Sequence, residues 1–420
     1  MLLNRPRAHQ LMRQAGLDAL VATSALNVTY FTDYYCWMDP VTSEYMMLPG
    51  ASSDRLQSYA ILPLDGEPGL IVNPMFVANT ADLWVTDLYT FGDHSIDFPA
   101  QPPRLQSESE RIAYDLLHES QPSATATDAL LTALQHRGLS DARIGIELDG
   151  LPEQTRRLIF QSLPRAELKD CSNLLRLLRA VKSRDEIELL RRSAEISEQA
   201  AMEALHEARP GRPASQVIRR YRACVAEMDA HFDHFAYSPR GMGIATEPDY
   251  VLGSDDVMYV DFGCSFRHVL SDSGTTLALG AWPGELERTH SALRASVQAG
   301  LDAMQPGSLV SSVQRAMQEA LEERGHPGGT RRCFPHGHSL GLAIRDYPIV
   351  MAASGLPIKD DCIQVSSDLA LEPDMVINLE APVFRFGSTS VHVEQTFLMT
   401  DQGARPLLPQ DRSQPVRPGG

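Results

Sequence analysis

The stretch VMYVDFGCSFRHVLSDSGTTLALG, residues Val257 to Gly280, reads as two long strands joined near SFRH, and it carries acids where a core should be. Asp261 ends a nearly unbroken apolar run, and Asp272 follows eleven residues later. A hairpin of that length can set both carboxylates on one face of adjacent strands. Paired strands of this kind, interrupted by helical spacing at Glu285–Met304 and Leu309–Arg324, point to an α+β arrangement with an antiparallel sheet.

Two later strands repeat the anomaly. In MVINLEAP, Glu380 closes another apolar run. In SVHVEQTFLM, strict alternation puts His392, Glu394 and Thr396 on one face and Val391, Val393 and Gln395 on the other. A buried ionised carboxylate is paired or binds a cation, because burying it alone is very costly. Few lysines lie nearby in sequence, so a divalent metal is the economical partner for four converging acids. His338, in FPHGHSLGLAIRDYP, could add a neutral nitrogen. Oxygen donors with one imidazole suit manganese, iron, cobalt or zinc. Singly, an Asp at a strand end is more often a cap and a His beside glycine more often a loop residue. The joint order and spacing of five such residues reverses that balance.

The first part of the chain is organised differently. Helical spacing at Arg5–Gly16 leads into a short apolar strand within Leu17–Ser24, and further strands are expected at Ser58–Leu64, Gly69–Pro74 and Arg143–Gly150. Strands interleaved with helices predict an α/β domain. Ser183 and Glu186 form a capping box that opens a long amphipathic helix. The expected organisation is an N-terminal domain over 1–170, a linker over 171–182, a catalytic domain over 183–405 and a flexible proline-rich tail over 406–420.

At 420 residues the chain suits two or three domains, and 43% apolar content is ample for buried cores. The formal charge of −17 argues against nucleic acid and anionic membrane as main partners. No run approaches the length needed to span a bilayer, the N-terminus lacks signal-peptide character, and the six cysteines are scattered without a CxxC pair. The expected location is the cytoplasm.

Asp261 and Asp272, GHSLG with His338, NLEAP with Glu380 and VHVEQT with Glu394 together resemble the metal site of the M24 family, which covers methionine aminopeptidases, Xaa-Pro peptidases, prolidases and creatinases. The segments AGLDALVATSALNVTYFTDY and LLRLLRAVKSRDEIELLRRSAEI resemble the creatinase/prolidase N-terminal domain and its hinge. The resemblance implies a pita-bread catalytic fold with two divalent ions. Asp272 and Glu394 would bridge them, Asp261 would hold one, and His338 and Glu380 the other. It further implies a water made nucleophilic between the ions, with Glu380 handling protons. It also implies a homodimer in which the partner's N-terminal domain covers the site. The loop YCWMDP, with Trp37, is the candidate for reaching across.

The chain departs from that family at several points. Peptidases of the family have a histidine where Arg345 stands, and another about seventeen residues before the first aspartate, where Ile244, Ala245 and Thr246 lie. His392 replaces a familiar arginine. His336 is expected beside the site without being a ligand. A guanidinium does not act as a general acid at neutral pH, but it clamps a carboxylate with two parallel hydrogen bonds. Arg345 and His392 are therefore read as orienting a carboxylate-bearing substrate, with Tyr237 and Arg240 as candidate pocket residues. The alternative for Arg345 is an ion pair with Asp346 or another acid. The function expected is a dinuclear hydrolase of C–N bonds resembling Xaa-Pro peptidases, acting on a dipeptide or small molecule. A small-metabolite hydrolase or lyase on the same scaffold is the alternative, and a non-catalytic binding protein is disfavoured because all five candidate ligands, four acids and one imidazole, are kept.

Overall fold

A computed structural model describes residues 1–36, 57–100, 103–119, 122–246, 249–325, 336–409 and 414–418. The chain divides into two compact units, Met1–Leu178 with Pro357–Val365, and Arg179–Leu356 with Ser366–Gly420.

The first unit is α/β. Its six strands are β1 (Ala19–Ala22), β2 (Tyr59–Pro63), β3 (Gly69–Val72), β4 (Asp87–Thr90), β5 (Arg143–Ile146) and β6 (Glu167–Asp170), in the order β4-β3-β2-β1-β5-β6. The three pairings β3–β4, β1–β5 and β5–β6 are parallel, and β1–β2 and β2–β3 are antiparallel. β1, β2 and β3 are buried at every position, as strands covered on both faces must be. Val21, Ile61, Ile71 and Ile144 join Leu130 and Leu134, from the helix Ala126–His136, in one apolar cluster.

The second unit is built on two antiparallel sheets. One contains β7 (His231–Tyr237), β8 (Val257–Phe266), β9 (Val269–Leu270) and β10 (Ser273–Ala278), ordered β10-β8-β7 with β9 beside β8. The other contains β11 (His336–Ser339) and β12 (Asp346–Val350) and, beyond a ribbon of β13 (Pro357–Lys359) and β14 (Gln364–Ser366), β15 (Val376–Arg385), β16 (Thr389–Thr400) and β17 (Gly403–Pro406), ordered β12-β11-β15-β16-β17. Helices Arg184–His206 and Ala214–Glu227 cover the outer face of the first sheet through Ile196, Tyr221, Val260 and Phe262. Helices Gly284–Ala303 and Val310–Glu322 cover the second through Leu293, Met317, Val391, Val393 and Phe397. Each fully buried side chain of this size contributes roughly 1.5–3 kcal/mol.

With their outer faces covered by helices, the two sheets meet along β16. The backbone N–H of His392 donates to Thr276 Oγ1 at 2.9 Å, and that hydroxyl donates back to the His392 carbonyl. Tyr259 N–H donates to Ser390 Oγ, and Thr396 Oγ1 to the Asp272 carbonyl. The remaining faces of β8, β10, β15 and β16 are thus turned towards one another.

Four expectations are corrected. The units divide after Leu178, inside the expected linker, but Ser172–Arg179 there is a helix, with Ser172 N–H and Leu174 N–H capped by Asp170 and Asp360. The catalytic unit is not continuous, since residues 357–365 belong with the first unit, where Asp360 and Asp361 accept backbone N–H bonds. The tail is docked where it is described: Val416 is buried and exchanges backbone hydrogen bonds with Thr276 and Ala278 at the edge of β10. The capping box is half formed: Ser183 Oγ accepts Glu186 N–H at 3.1 Å, but the Glu186 carboxylate turns inward and lies 3.5 Å from Lys182.

Candidate metal centre

Strand register assembles the site. In β8–β10 pairing Asp261 faces Gly274, so Asp272, two residues before Gly274, shares its side of the sheet diagonally. In the second sheet Glu380 stands opposite Glu394 on one side and His336 on the other, while His338, Asn378 and Thr396 form the neighbouring row. The alternation read in β16 holds: Val391 and Val393 enter the helix-covered core, and His392, Glu394 and Thr396 take the other face.

The side chains converge. His338 Nε2 lies 3.3 Å from Asp272 Oδ2 and 4.0 Å from Glu380 Oε1, and its Nδ1 is held 3.1 Å from the Ser339 carbonyl. His336 Nε2 is 2.7 Å from Glu380 Oε1. His392 Nε2 lies 3.7 Å from Glu380 Oε2 and 3.5 Å from Glu394 Oε2, its ring stacked on Tyr259 at 4.1 Å. Tyr259 donates its hydroxyl to Asp261 Oδ2 at 2.6 Å. Glycine makes this packing possible: a Cβ on Gly274 would stand 2.2 Å from Glu394 Oε2 and 2.3 Å from the His392 ring.

His234 on β7 was not foreseen. Its Nε2 lies 2.9 Å from Asp261 Oδ1 and 3.5 Å from Asp272 Oδ1. A bulge between Phe232 and His234 sets the register that pairs Ala236 with Asp261 and brings His234 to the acid face. Bulges leave no mark in the alternation of HFDHFAY. The available signal was glycine inside strands, at Gly263 and Gly274.

Other expectations fare differently. Tyr237 faces away from the acids, buried in the cluster with Phe235 and Val260, because it pairs with Val260 rather than Asp261. Arg240 donates to the Gly387 carbonyl at 2.6 Å. His392 is wholly buried, behind Glu380 and Glu394, and so is not presented to a substrate. Arg345 does not pair with Asp346, which is held by buried Arg179 at 2.8 and 3.1 Å. Its guanidinium, 60% exposed, lies 3.6 Å from Glu380 Oε1. Trp37 lies outside the described residues.

The electrostatics explain how the acids coexist. Burial raises the Asp272 carboxyl, but His234 and His338 outweigh it and hold it below the ordinary range. Burial likewise raises Glu380, and His336 and His392 pull it well below. Glu394 goes the other way: burial, then the charges of Asp272, Asp261 and Glu380, push it well up, against one hydrogen bond from Asn378. Burial lowers His234, but its hydrogen bonds to Asp233, Asp261 and Asp272 carry it up to about 12. A divalent cation would displace the proton that His234 takes up here.

The residues fit a divalent metal. Glu394 Oε2 and His392 Nε2 are buried without a hydrogen-bond partner. Two groups, His234 with Asp261 and Asp272, and Glu380 with His392 and Glu394, each offer three donor atoms within 4.8 Å of one another. Mixed carboxylate and imidazole donors suit borderline transition metals.

Comparison with known proteins agrees. Residues 188–401 match the model of metallopeptidase family M24, and residues 5–181 match the creatinase/prolidase N-terminal domain. The chain belongs to family M24. It is accordingly a metal-dependent hydrolase, with a creatinase-type α/β domain and a pita-bread α+β catalytic domain. A Pyrococcus furiosus Xaa-Pro dipeptidase is 25% identical over 254 residues, 59% of this chain and 68% of that one. Staphylococcus aureus sequences described as uncharacterized peptidases match over 245 residues, only 64% of their length. Ectoine hydrolase from Halomonas elongata is 22% identical over 415 residues, 94% of this chain and 92% of that one. The crystal structure of dipeptidase PepE from Mycobacterium ulcerans superposes with a TM-score of 0.70 at 19% identity, covering 99% of this chain and 97% of that one. Among the described residues, no helix is long and apolar enough to cross a membrane.

Proposed function

We propose that this M24 hydrolase is dinuclear and cleaves a C–N bond, peptide or amide, in a small carboxylate-bearing substrate. The observation that carries the reading is the pair of three-donor groups, the second of which holds Glu394 Oε2 and His392 Nε2 buried without a hydrogen-bond partner, 3.5 Å from each other. Asp261, Asp272, His338, Glu380 and Glu394 would hold the ions. Two divalent ions, manganese, iron, cobalt or zinc, would supply a water activated near neutral pH. Glu380, flanked by His336 and His392, would accept and return protons at its carboxylate. Arg345, at the exposed rim beside Glu380, has the planar fork to hold a substrate carboxylate.

A second reading, a small-metabolite enzyme on this scaffold, has its own support. The match to ectoine hydrolase spans nearly the whole chain, while the Xaa-Pro dipeptidase match spans 59% of it. Arg345 in place of a family histidine points the same way. We further propose a cytoplasmic homodimer whose partner covers the site, which light scattering would check.

The deciding experiment is proline release from Xaa-Pro dipeptides by manganese-, iron- or zinc-loaded protein, run beside ring opening of ectoine and hydrolysis of carboxylated amides. Asp261→Ala protein is the blank. Proline release lost in the blank supports the peptidase. Turnover of the amides or ectoine alone supports the second reading, and no turnover of any of them by folded, metal-loaded protein counts against both.

A further inference from the structure

We propose that His234, oriented by Asp233, is a further metal ligand of this enzyme, donating Nε2 to the ion that Asp261 and Asp272 hold. The inference rests on the dinuclear reading above and adds a residue to it.

Donors at about 2.0–2.2 Å from one ion lie about 2.8–3.6 Å from each other in octahedral or tetrahedral arrangements. His234 Nε2 stands 2.9 Å from Asp261 Oδ1 and 3.5 Å from Asp272 Oδ1, separations that donors on a shared ion have, and each of the three residues offers a donor atom within 4.8 Å of the others. The ring's other nitrogen, Nδ1, lies 2.7 Å from Asp233 Oδ2. With its proton on Nδ1 donated to that carboxylate, imidazole presents the Nε2 lone pair to the acids, the carboxylate–histidine–metal arrangement of many metal sites. Space is reserved for the ring: a Cβ on Gly263 would lie 2.4 Å from His234 Cε1, and Gly263 is the residue paired with His234.

A merely structural imidazolium neutralising two acids would have the same contacts, so the test reads metal and not activity. Purified protein is stripped with chelator, titrated with cobalt and with manganese, and measured for bound ions per chain, affinity and the cobalt d–d spectrum. Wild type is expected to hold two ions. His234→Ala should bind the weaker of its two cobalt ions at least tenfold less tightly than wild type and change the cobalt spectrum, with a smaller loss for manganese, which prefers oxygen donors. Asp233→Asn keeps the imidazole and should weaken binding by about 10–100-fold; it keeps the test decisive where His234→Ala does not fold. Two ions of unchanged affinity and an unchanged spectrum in both variants overturn the inference while leaving the dinuclear reading intact. A folded wild type that binds no ion overturns both together.

Discussion

Two buried glutamates show what this protein does with a carboxylate in its interior. Glu147, in the first unit, accepts the backbone N–H groups of Thr23 and Ser24 at 2.8 and 2.9 Å and the Asn27 side-chain amide at 2.6 Å. It sits at the start of helix Ala25–Thr32, where unpaired N–H groups point and the helix dipole favours negative charge. Glu394 is equally buried, but receives one hydrogen bond, from Asn378, and faces three other acids. The first carboxylate is satisfied by the chain itself. The second keeps one oxygen, Oε2, without a hydrogen-bond partner and 3.5 Å from His392 Nε2, the state in which an acid is left to bind a cation, and that difference separates the two acids.

Four measurements can break or sharpen this contrast. The largest effect should come from removing metal: if ions are normally present at about a thousand times their dissociation constant, chelation costs about 4 kcal/mol of stability. Calorimetry with and without chelator checks this, and an unchanged transition in the second unit would end the contrast. Next, Glu147→Ala leaves backbone donors buried and unpaired, and should cost about 1–3 kcal/mol for each one orphaned. That loss should be the same with or without metal, whereas a metal-dependent loss would mean the two acids are not separate cases.

A smaller effect of opposite sign is expected for Glu394→Gln. In chelated protein it replaces a carboxyl that burial and three acids keep from ionising, so the cost of protonating it on folding is gone, and it should raise the melting temperature by about 2–4 °C, equivalent to roughly 1 kcal/mol in a domain of this size. In metal-loaded protein the same change should lower it, if Glu394 is the metal ligand proposed above. The smallest stability effect belongs to Arg345→Ala, which should stay within about 0.5 kcal/mol because the side chain is largely exposed. Its consequence should be a raised KM for carboxylated substrates; an unchanged KM would reduce Arg345 to a rim ion pair with Glu380.

The prediction for Glu394 depends on residues that the sequence made visible to different degrees. Glu394 and Thr396 were legible because a strand alternates with period two and one face of VHVEQTF is apolar. Asp261 and Asp272 were legible as acids inside apolar runs. His234 was not, because a single bulge decides which way it points, and local composition does not record a bulge. Tyr237 was misread for the same reason in reverse: its segment was right, but its register places it on the core side. Val416 is one apolar residue among prolines, and only the open edge of β10 gives it a partner.

The sequence by itself determined the two fold types and the strands that bear the acids, because periodicity is a local property, and its resemblance to known motifs pointed to the family. Tertiary structure decided which imidazoles reach the carboxylates, that Asp346 belongs to Arg179 and leaves Arg345 at the rim, and that residues 357–365 join the first unit. These depend on register between strands and on contacts between residues more than a hundred positions apart, such as Arg179 and Asp346. Such contacts form only when the whole core packs, so no local stretch of the chain encodes them.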